Sequence, residues 1–377
     1  MDTRIESVSV ASPRDRLTRQ QQSILLLSRA WSWVFLALMI LFFSVTVSIK
    51  EGVNFLSLRN SQNILVAITP PLLMGLGQTF VIIAGGIDLS VGWVMGLASV
   101  VSALVIRGLA DGGMAEPLAI LIGCVAGLVS AMIPGFINGV IIAKLRVPPF
   151  IVTLGMAFIA RGAAYLLSGG NVVGSQPPGV RSFGNDALFY FVPGEGGGLY
   201  FVQRPSVARE QLRVLERILP WPVVVTAIVV AIAIFILHKT QFGRHTYAIG
   251  GNREAAIRAG VPVDRHTIML YVMSGLTVGF AGILHTARFS GGSSIGGDPL
   301  MLPSIAAVVI GGVSLFGGEG RVSGTIVGAL IIAVLSVGLV MLNVEPFWQW
   351  IVVGVIVIVA VLIDQSRDLI IGRAALE

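Results

Sequence analysis

The sequence predicts an all-α integral membrane protein of about ten transmembrane helices, with segments broken or re-entrant at Gly-rich motifs. Three observations carry that prediction. Of 377 residues, 55% are hydrophobic and only 12% charged, with a mean hydropathy of +0.89; a soluble domain of this length needs a more polar surface. Apolar runs of about 20 residues, the length that crosses a bilayer core, recur along the whole chain. Glycine occurs 46 times, often inside those runs, where small residues let helices approach closely.

Residues 1–30 are polar and Arg-bearing and read as a cytoplasmic tail. The run Trp31–Ile49 is longer than a signal-peptide core and no small-residue cleavage pattern follows, so it reads as a membrane anchor. Further spans are expected near 63–84, 88–107, 117–141, 150–168, 220–238, 267–286, 303–317, 321–342 and 347–364. They place one transmembrane domain over 31–366 and a cytoplasmic tail over 367–377. Gly311, Gly312, Gly317 and Gly318 interrupt the 303–317 span. The segments 142–149 and 239–266 are rich in Lys and Arg, which favours both termini in the cytoplasm. The long loop 169–219 should then lie outside, although it carries Arg181, Arg204, Arg209, Arg213 and Arg217. Within it, 205–219 has the pattern of an amphipathic helix, either at the membrane surface or docking an external partner.

Several function classes drop out. The net charge of +6 is scattered through short connections and sets orientation; it is no footprint for nucleic acid. Cys124 is the single cysteine, lies in an apolar run and forms no internal disulfide. No GxxxxGK[ST] motif occurs, and none of the lysines Lys50, Lys144 and Lys239 follows a glycine. Any ATP used must therefore be hydrolysed by another subunit. His238, His245, His266 and His285 form no HxxxH or HExxH and read as interfacial residues. No serine has a nucleophile-elbow context. The chain is expected to have no catalytic residue, metal or cofactor of its own.

Three Gly-bearing stretches remain. In "GGIDLSVG" (85–92), Asp88 is an acid between two apolar runs. It either caps the helix that follows, as Ser90 also could, or lines a solute path. Asn138 follows Pro134 and Gly135, which are expected to perturb the helix; its amide either bonds a neighbouring helix or faces hydroxyls in a pore. Thr153, Arg161 and Phe289 are weaker path candidates. In "GGVSLFGGEGR" (311–321), Glu319 and Arg321 flank Gly320 in a charged turn, at the membrane surface or against a cytoplasmic partner.

The third stretch, "GGNREAAIRAG" (250–260), is a polar interruption between apolar runs. Gly250-Gly251 breaks the chain, Asn252 can cap a helix, and Arg253 opens it. Glu254 and Arg258 have favourable i,i+4 order. Gly260 can end the helix before Pro262. Ala255, Ala256 and Ala259 leave little bulk, so another surface can come close. The reading is a short connector or a docking helix of about 10 Å.

Together these three stretches, in this order and spacing, resemble the ribose/xylose-type permeases of bacterial ABC importers, with similarity over about residues 60–365. The resemblance implies a dimer of permease copies or paralogues in the inner membrane. It also implies a cytoplasmic ATPase that binds ATP and Mg, and a periplasmic sugar-binding protein. Asn252–Gly260 then corresponds to the coupling helix of alternating-access transport, with Glu254-Ala255-Ala256 and Gly260 matching the start of the EAA loop. The proline-containing tail of that loop is absent. An ion-coupled secondary transporter is the rival reading, but it has no need of a helix for a motor.

Overall fold

The computed structural model describes residues 19–193, 197–202, 204–205, 215–345, 347–356, 358–359 and 362. The tail over 367–377, and residues 1–18 of the first tail, lie outside the described residues. Helix α1 (Arg19–Glu51) is followed by α2 (Leu58–Ala67), α3 (Thr69–Ile83), α4 (Val91–Asp111), α5 (Glu116–Lys144) and α6 (Pro149–Ser168). A short helix α7 (Pro178–Asn185) leads into strands β1 (Ala187–Val192), β2 (Gly198–Phe201) and β3 (Glu216–Pro220). Then come α8 (Trp221–Lys239), α9 (Gln241–Gly251), α10 (Arg253–Arg258), α11 (Val263–Phe289), α12 (Asp298–Ile310), α13 (Val322–Met341) and α14 (Phe347–Ile356).

Among the described residues, eight helical spans are long and apolar enough to cross a membrane, counting α2 and α3 as one. Helices α12 and α14 are shorter apolar helices and bring the total near the expected number. The run 63–84 is divided at Ile68, where α2 ends and α3 begins with Pro70 and Pro71 in its first turn; proline fits a first helical turn but not an interior. The expected span at 303–317 is instead α12, 13 residues long and too short to cross, followed by the Gly-rich turn 311–321. Pro134 does not break α5, which runs unbroken from Glu116 to Lys144.

Helix α11 stands at the centre, against α3, α4 and α5. The α5–α11 crossing is made by small residues on both sides. Gly123, Gly127, Ala131, Gly135 and Gly139 recur every fourth position along α5 and form one stripe. A Cβ on Gly139 would stand 2.7 Å from Ile268 Cα, and one on Gly135 would collide with the Tyr271 carbonyl. From the other side, a Cβ on Gly275 would collide with the Ala131 carbonyl. Lys144 Nζ donates to Asp264 Oδ2 at 3.0 Å and ties the two helices at one end. The membrane window of α2–α3 is 89% buried, whereas those of α1, α5 and α8 are 28% buried and turn apolar side chains outward.

Within the loop 169–219, the end of the amphipathic helix expected over 205–219 is not helical. Residues 206–214 lie outside the described residues, but Glu216–Pro220 is a strand. It pairs antiparallel with β1, Phe189 opposite Ile218, and β1 pairs on its other side with β2, Phe189 opposite Phe201. The aromatic run ALFYFV favours a strand, and pairing with it satisfies the β3 backbone, which overrides the helical pattern. Among the described residues the regular elements are thus helices except for this small sheet. Gly184 of α7 packs on the Ala287–Arg288 backbone, so the sheet sits at the α11 end opposite α10.

The glycine crossing yields a direct test. Gly275→Leu is expected to destabilise the protein by at least about 1–3 kcal/mol, the usual cost of overpacking, measured by thermal unfolding in detergent. Gly108→Ala, whose Cβ meets nothing within 4 Å, should leave the transition unchanged or slightly raised.

Candidate functional site

The three Gly-bearing stretches, far apart in sequence, meet at the end of α3. The Ile83 carbonyl accepts from Gly318 N at 2.8 Å. Gly250 lies against the same carbonyl so closely that a Cβ there would collide with it. Gly317, at φ +87°, leaves 3.0 Å between its Cβ position and Gly250 O, and 3.1 Å to Gly85 Cα. Glycine is required here twice over, by the left-handed backbone and by the backbone-to-backbone approach. Tyr247 of α9 donates its hydroxyl to Gly320 O at 2.7 Å. Burial pushes its phenol above the ordinary value, with Arg321 opposing, so it stays a donor. The turn closes on itself where Ser314 N donates to Glu319 O at 3.1 Å. The Glu319 and Arg321 side chains are exposed beside it.

Helix α10 is seated on this junction. The expected break at Gly250-Gly251 is displaced: both residues end α9, and the chain turns at Asn252, which is extended at φ −160°. Asn252 Oδ1 accepts from Ala255 N at 2.9 Å, the expected cap. At the other end Gly260 N donates to Ile257 O and Val261 N to Ala256 O, with Gly260 at φ +80°. This is the paired C-terminal arrangement in which an apolar residue past the end folds back on the helix. Ala256 is buried with Ile249 and Val263, against Ala84 and Val261. Of the small residues expected to admit a partner, Ala256 is therefore used inward, while Ala255 and Ala259 are exposed. Arg253, Glu254 and Arg258 also point outward, and Arg258 reaches Glu254 at 3.7 Å. At such exposure the pair adds little stability. Ile257, 55% exposed, was not among the expected contact residues; its signal is the one large apolar side chain in a polar turn.

Above the junction the chain stays non-helical to Ser90, and Asp88 sits in this break, 3% exposed. Its Oδ1 accepts from Ser90 N at 3.0 Å and Ser90 Oγ at 2.6 Å, and its Oδ2 from Ser274 Oγ of α11 at 2.7 Å. Bonding both oxygens is what makes a buried carboxylate tolerable. Ser90 does not cap α4 with its side chain; it accepts instead from Asn138 Nδ2 of α5 at 3.1 Å. Gln78 Nε2 of α3 reaches Asp88 O at 3.4 Å. Thr153 of α6 and Tyr271 of α11 both reach Ile87 O at 3.4 Å. Asp88, Asn138 and Thr153 are thus brought together, each buried among helices of one chain. Phe289 is not: it is 65% exposed at the far end of α11.

Two further features were not anticipated. A cavity of about 630 Å³ opens at the sheet end, lined in part by Asn63, Asn185, Arg217 and Arg288. Its wall is held by Arg217 Nη1 donating to Asn185 O at 2.6 Å and Asn185 Nδ2 to Arg288 O at 3.0 Å. His266, in the first turn of α11, is buried and within 2.9 Å of Thr246 Oγ1.

Residues 60–361 match the family described as branched-chain amino acid transport system / permease component. The chain belongs to this permease family. The match runs from α2 into α14 and so includes the junction, α10 and the Asp88 cluster. The ribose import permease of Bacillus subtilis is 37% identical over 334 residues, covering 89% of this chain and 92% of that protein. The xylose transport system permease of Haemophilus influenzae is 36% identical, covering 88% of this chain and 94% of its own length. The galactose/methyl galactoside import permease of Escherichia coli is 35% identical, covering 86% and 91%. No solved structure matches this permease.

A double-mutant cycle tests the cluster. Asp88→Ala and Ser274→Ala are each expected to cost about 1–3 kcal/mol, because each strands a buried polar group. The double mutant should lose at least about 0.5 kcal/mol less than their sum. Strict additivity in chemical unfolding would deny the contact.

Proposed function

We propose that this chain is the permease subunit of an ATP-driven ABC importer that carries a monosaccharide or similar small polyol across the bacterial inner membrane by alternating access. Three relatives that span most of the chain are named for ribose, xylose and galactose, which favours a sugar over the amino acids of the family description. The single observation that carries the mechanism is the seating of α10. Everything on that helix except Ala256 faces outward, as a surface for a cytoplasmic ATPase requires. Its inner side joins the junction of α3, α9 and the turn 311–321. A push on α10 then moves the end of α3 and the break that holds Asp88.

On this reading the α10 end and both termini are cytoplasmic, and the sheet end is periplasmic. The partner ATPase binds ATP and Mg and performs the hydrolysis; this chain contributes no cofactor and no catalytic residue. A periplasmic sugar-binding protein delivers the solute at the sheet end, and a second permease copy or paralogue completes the path. Glu319 and Arg321 lie close enough to the α10 junction to belong to the same cytoplasmic contact.

The test is co-purification with the neighbouring ATPase gene product. Ile257→Asp, or Glu254→Arg with Gly260→Trp, should reduce recovery of the complex by about tenfold or more, since hot-spot side chains carry most of an interface's energy. Uptake should fall with it while the permease remains folded. Uptake that persists without the ATPase and collapses with the proton gradient would replace this reading with an ion-coupled secondary transporter.

A further inference from the structure

Arg161 is a charged residue on the exposed side of a membrane helix. Helix α6 spans 20 residues, about 30 Å, and Arg161 lies about 10 Å from its Ser168 end. Its guanidinium rests over the Trp93 ring at 4.7 Å and beside the Tyr165 ring at 5.8 Å, and the two rings stand 6.2 Å apart. Trp93 belongs to the first turn of α4, directly after the break at Asp88. The stack therefore holds the guanidinium beside the first turn of α4, about 12 Å along α6 from Thr153, which stands against the break itself. The salt bridges among the described residues give Arg161 no carboxylate partner. A cation in this position is unfavourable against lipid tails, and such residues face a bundle interior or a water-filled cavity.

The exposed side of α6 also carries Phe158 and Ile159, 64% and 63% exposed, so the aqueous alternative rests on Arg161 and on the interrupted segments beside it. Gly155 and Gly162 lie on the exposed face of α6, and a Cβ on either would meet nothing within 4 Å. Beside α4 stands α12, whose Met301 Cβ lies 3.0 Å from the Cβ position of Gly92. Helix α12 is too short to span and contains Pro303. Two interrupted segments thus flank the turn that carries Trp93, and interrupted backbone at membrane depth is tolerated where it meets protein or lines an aqueous cavity.

We infer that Arg161, laid on Trp93 and flanked by Tyr165, lines the translocation path and contacts the solute. This rests on the transport reading above. Stacking occupies one face of the guanidinium and leaves its in-plane N–H groups free to donate. Those donors suit the hydroxyl oxygens of a neutral polyol, and the half-buried Tyr165 ring supplies an apolar surface for its C–H face.

The experiment uses the whole complex, permease with ATPase and binding protein, in proteoliposomes. In a Cys124→Ala background, Gly155→Cys and Gly162→Cys should react with a charged, membrane-impermeant methanethiosulfonate. The rate at one or both should change by about tenfold between nucleotide-free and ATP–vanadate-trapped complex, as a shifted two-state population requires. Arg161→Gln should lower uptake by about tenfold, the scale of one lost charged hydrogen bond, with assembly and ATP hydrolysis retained. Arg161→Lys should recover only part of it. The uptake probes are radiolabelled D-ribose, D-xylose and D-galactose. Reaction with N-ethylmaleimide but not with the charged reagent would place this face in lipid and overturn the inference. A 162–162 disulfide between two copies without labelling would make it a subunit contact, and unchanged uptake in Arg161→Gln would remove the solute contact. If no ATPase associates, the transport reading fails; labelling of the permease alone still decides separately whether the face is aqueous.

Discussion

The hydrogen bond from Gly318 N to the Ile83 carbonyl, roofed by Gly250, is the contact on which the rest of the arrangement depends. A helix C-terminus leaves carbonyls without partners, and within a membrane protein they cannot be left to lipid. Here one such carbonyl is satisfied by a turn from more than two hundred residues away. The contact allows no side chain at Gly250, because a Cβ there would occupy the position of the Ile83 oxygen. Gly250, Gly317 and Gly318 are thus explained by one constraint. Each lets its backbone touch another backbone, so three segments distant in sequence are packed directly on one another.

That constraint fixes where the polar interior lies. Ending α3 at Ile83 and restarting at Val91 leaves a non-helical stretch surrounded by helices. Asp88 repairs it: one oxygen takes the Ser90 backbone and side chain, and the other takes Ser274 on the central helix. Asn138 can reach Ser90 because glycines on α5 bring that helix onto α11 at backbone distance. Small residues on α5 and α11 are therefore a condition for the polar cluster, since bulkier ones would hold the donors away from it.

The helical membrane fold, most of the spans and the short capped helix within 250–260 were legible from apolar run length, glycine and capping residues, all local signals. The Asn252 cap and the Glu254–Arg258 pair stand where local rules put them. What depended on distant partners was not legible. The pattern at 205–219 reads as a helix, but Glu216–Pro220 pairs with an aromatic strand that begins some thirty residues earlier. Pro134 is expected to perturb its helix, yet α5 continues through it, packed on α4 at Gly123 and on α11 at Gly135 and Gly139. The convergence of the three Gly-bearing motifs could be read only as their order along the chain, because no local rule says that Gly318 N will find Ile83 O.

The division of labour between buried and exposed polar groups follows from the same physics. Asp88, Asn138 and Thr153 have the chemistry of solute ligands, but each is buried among neighbouring helices and bonded within its own chain. A solute replacing those bonds would have to open the contacts between α4, α5 and α11, which are set at backbone distance by glycine. Such packing resists small displacements. The cluster is better suited to carry a displacement from α10 intact than to exchange partners at each turnover. On the transport reading proposed above, contact with the solute falls to side chains not bonded within the scaffold, and the contact inferred for the stacked guanidinium of Arg161 on α6 rests on that reading.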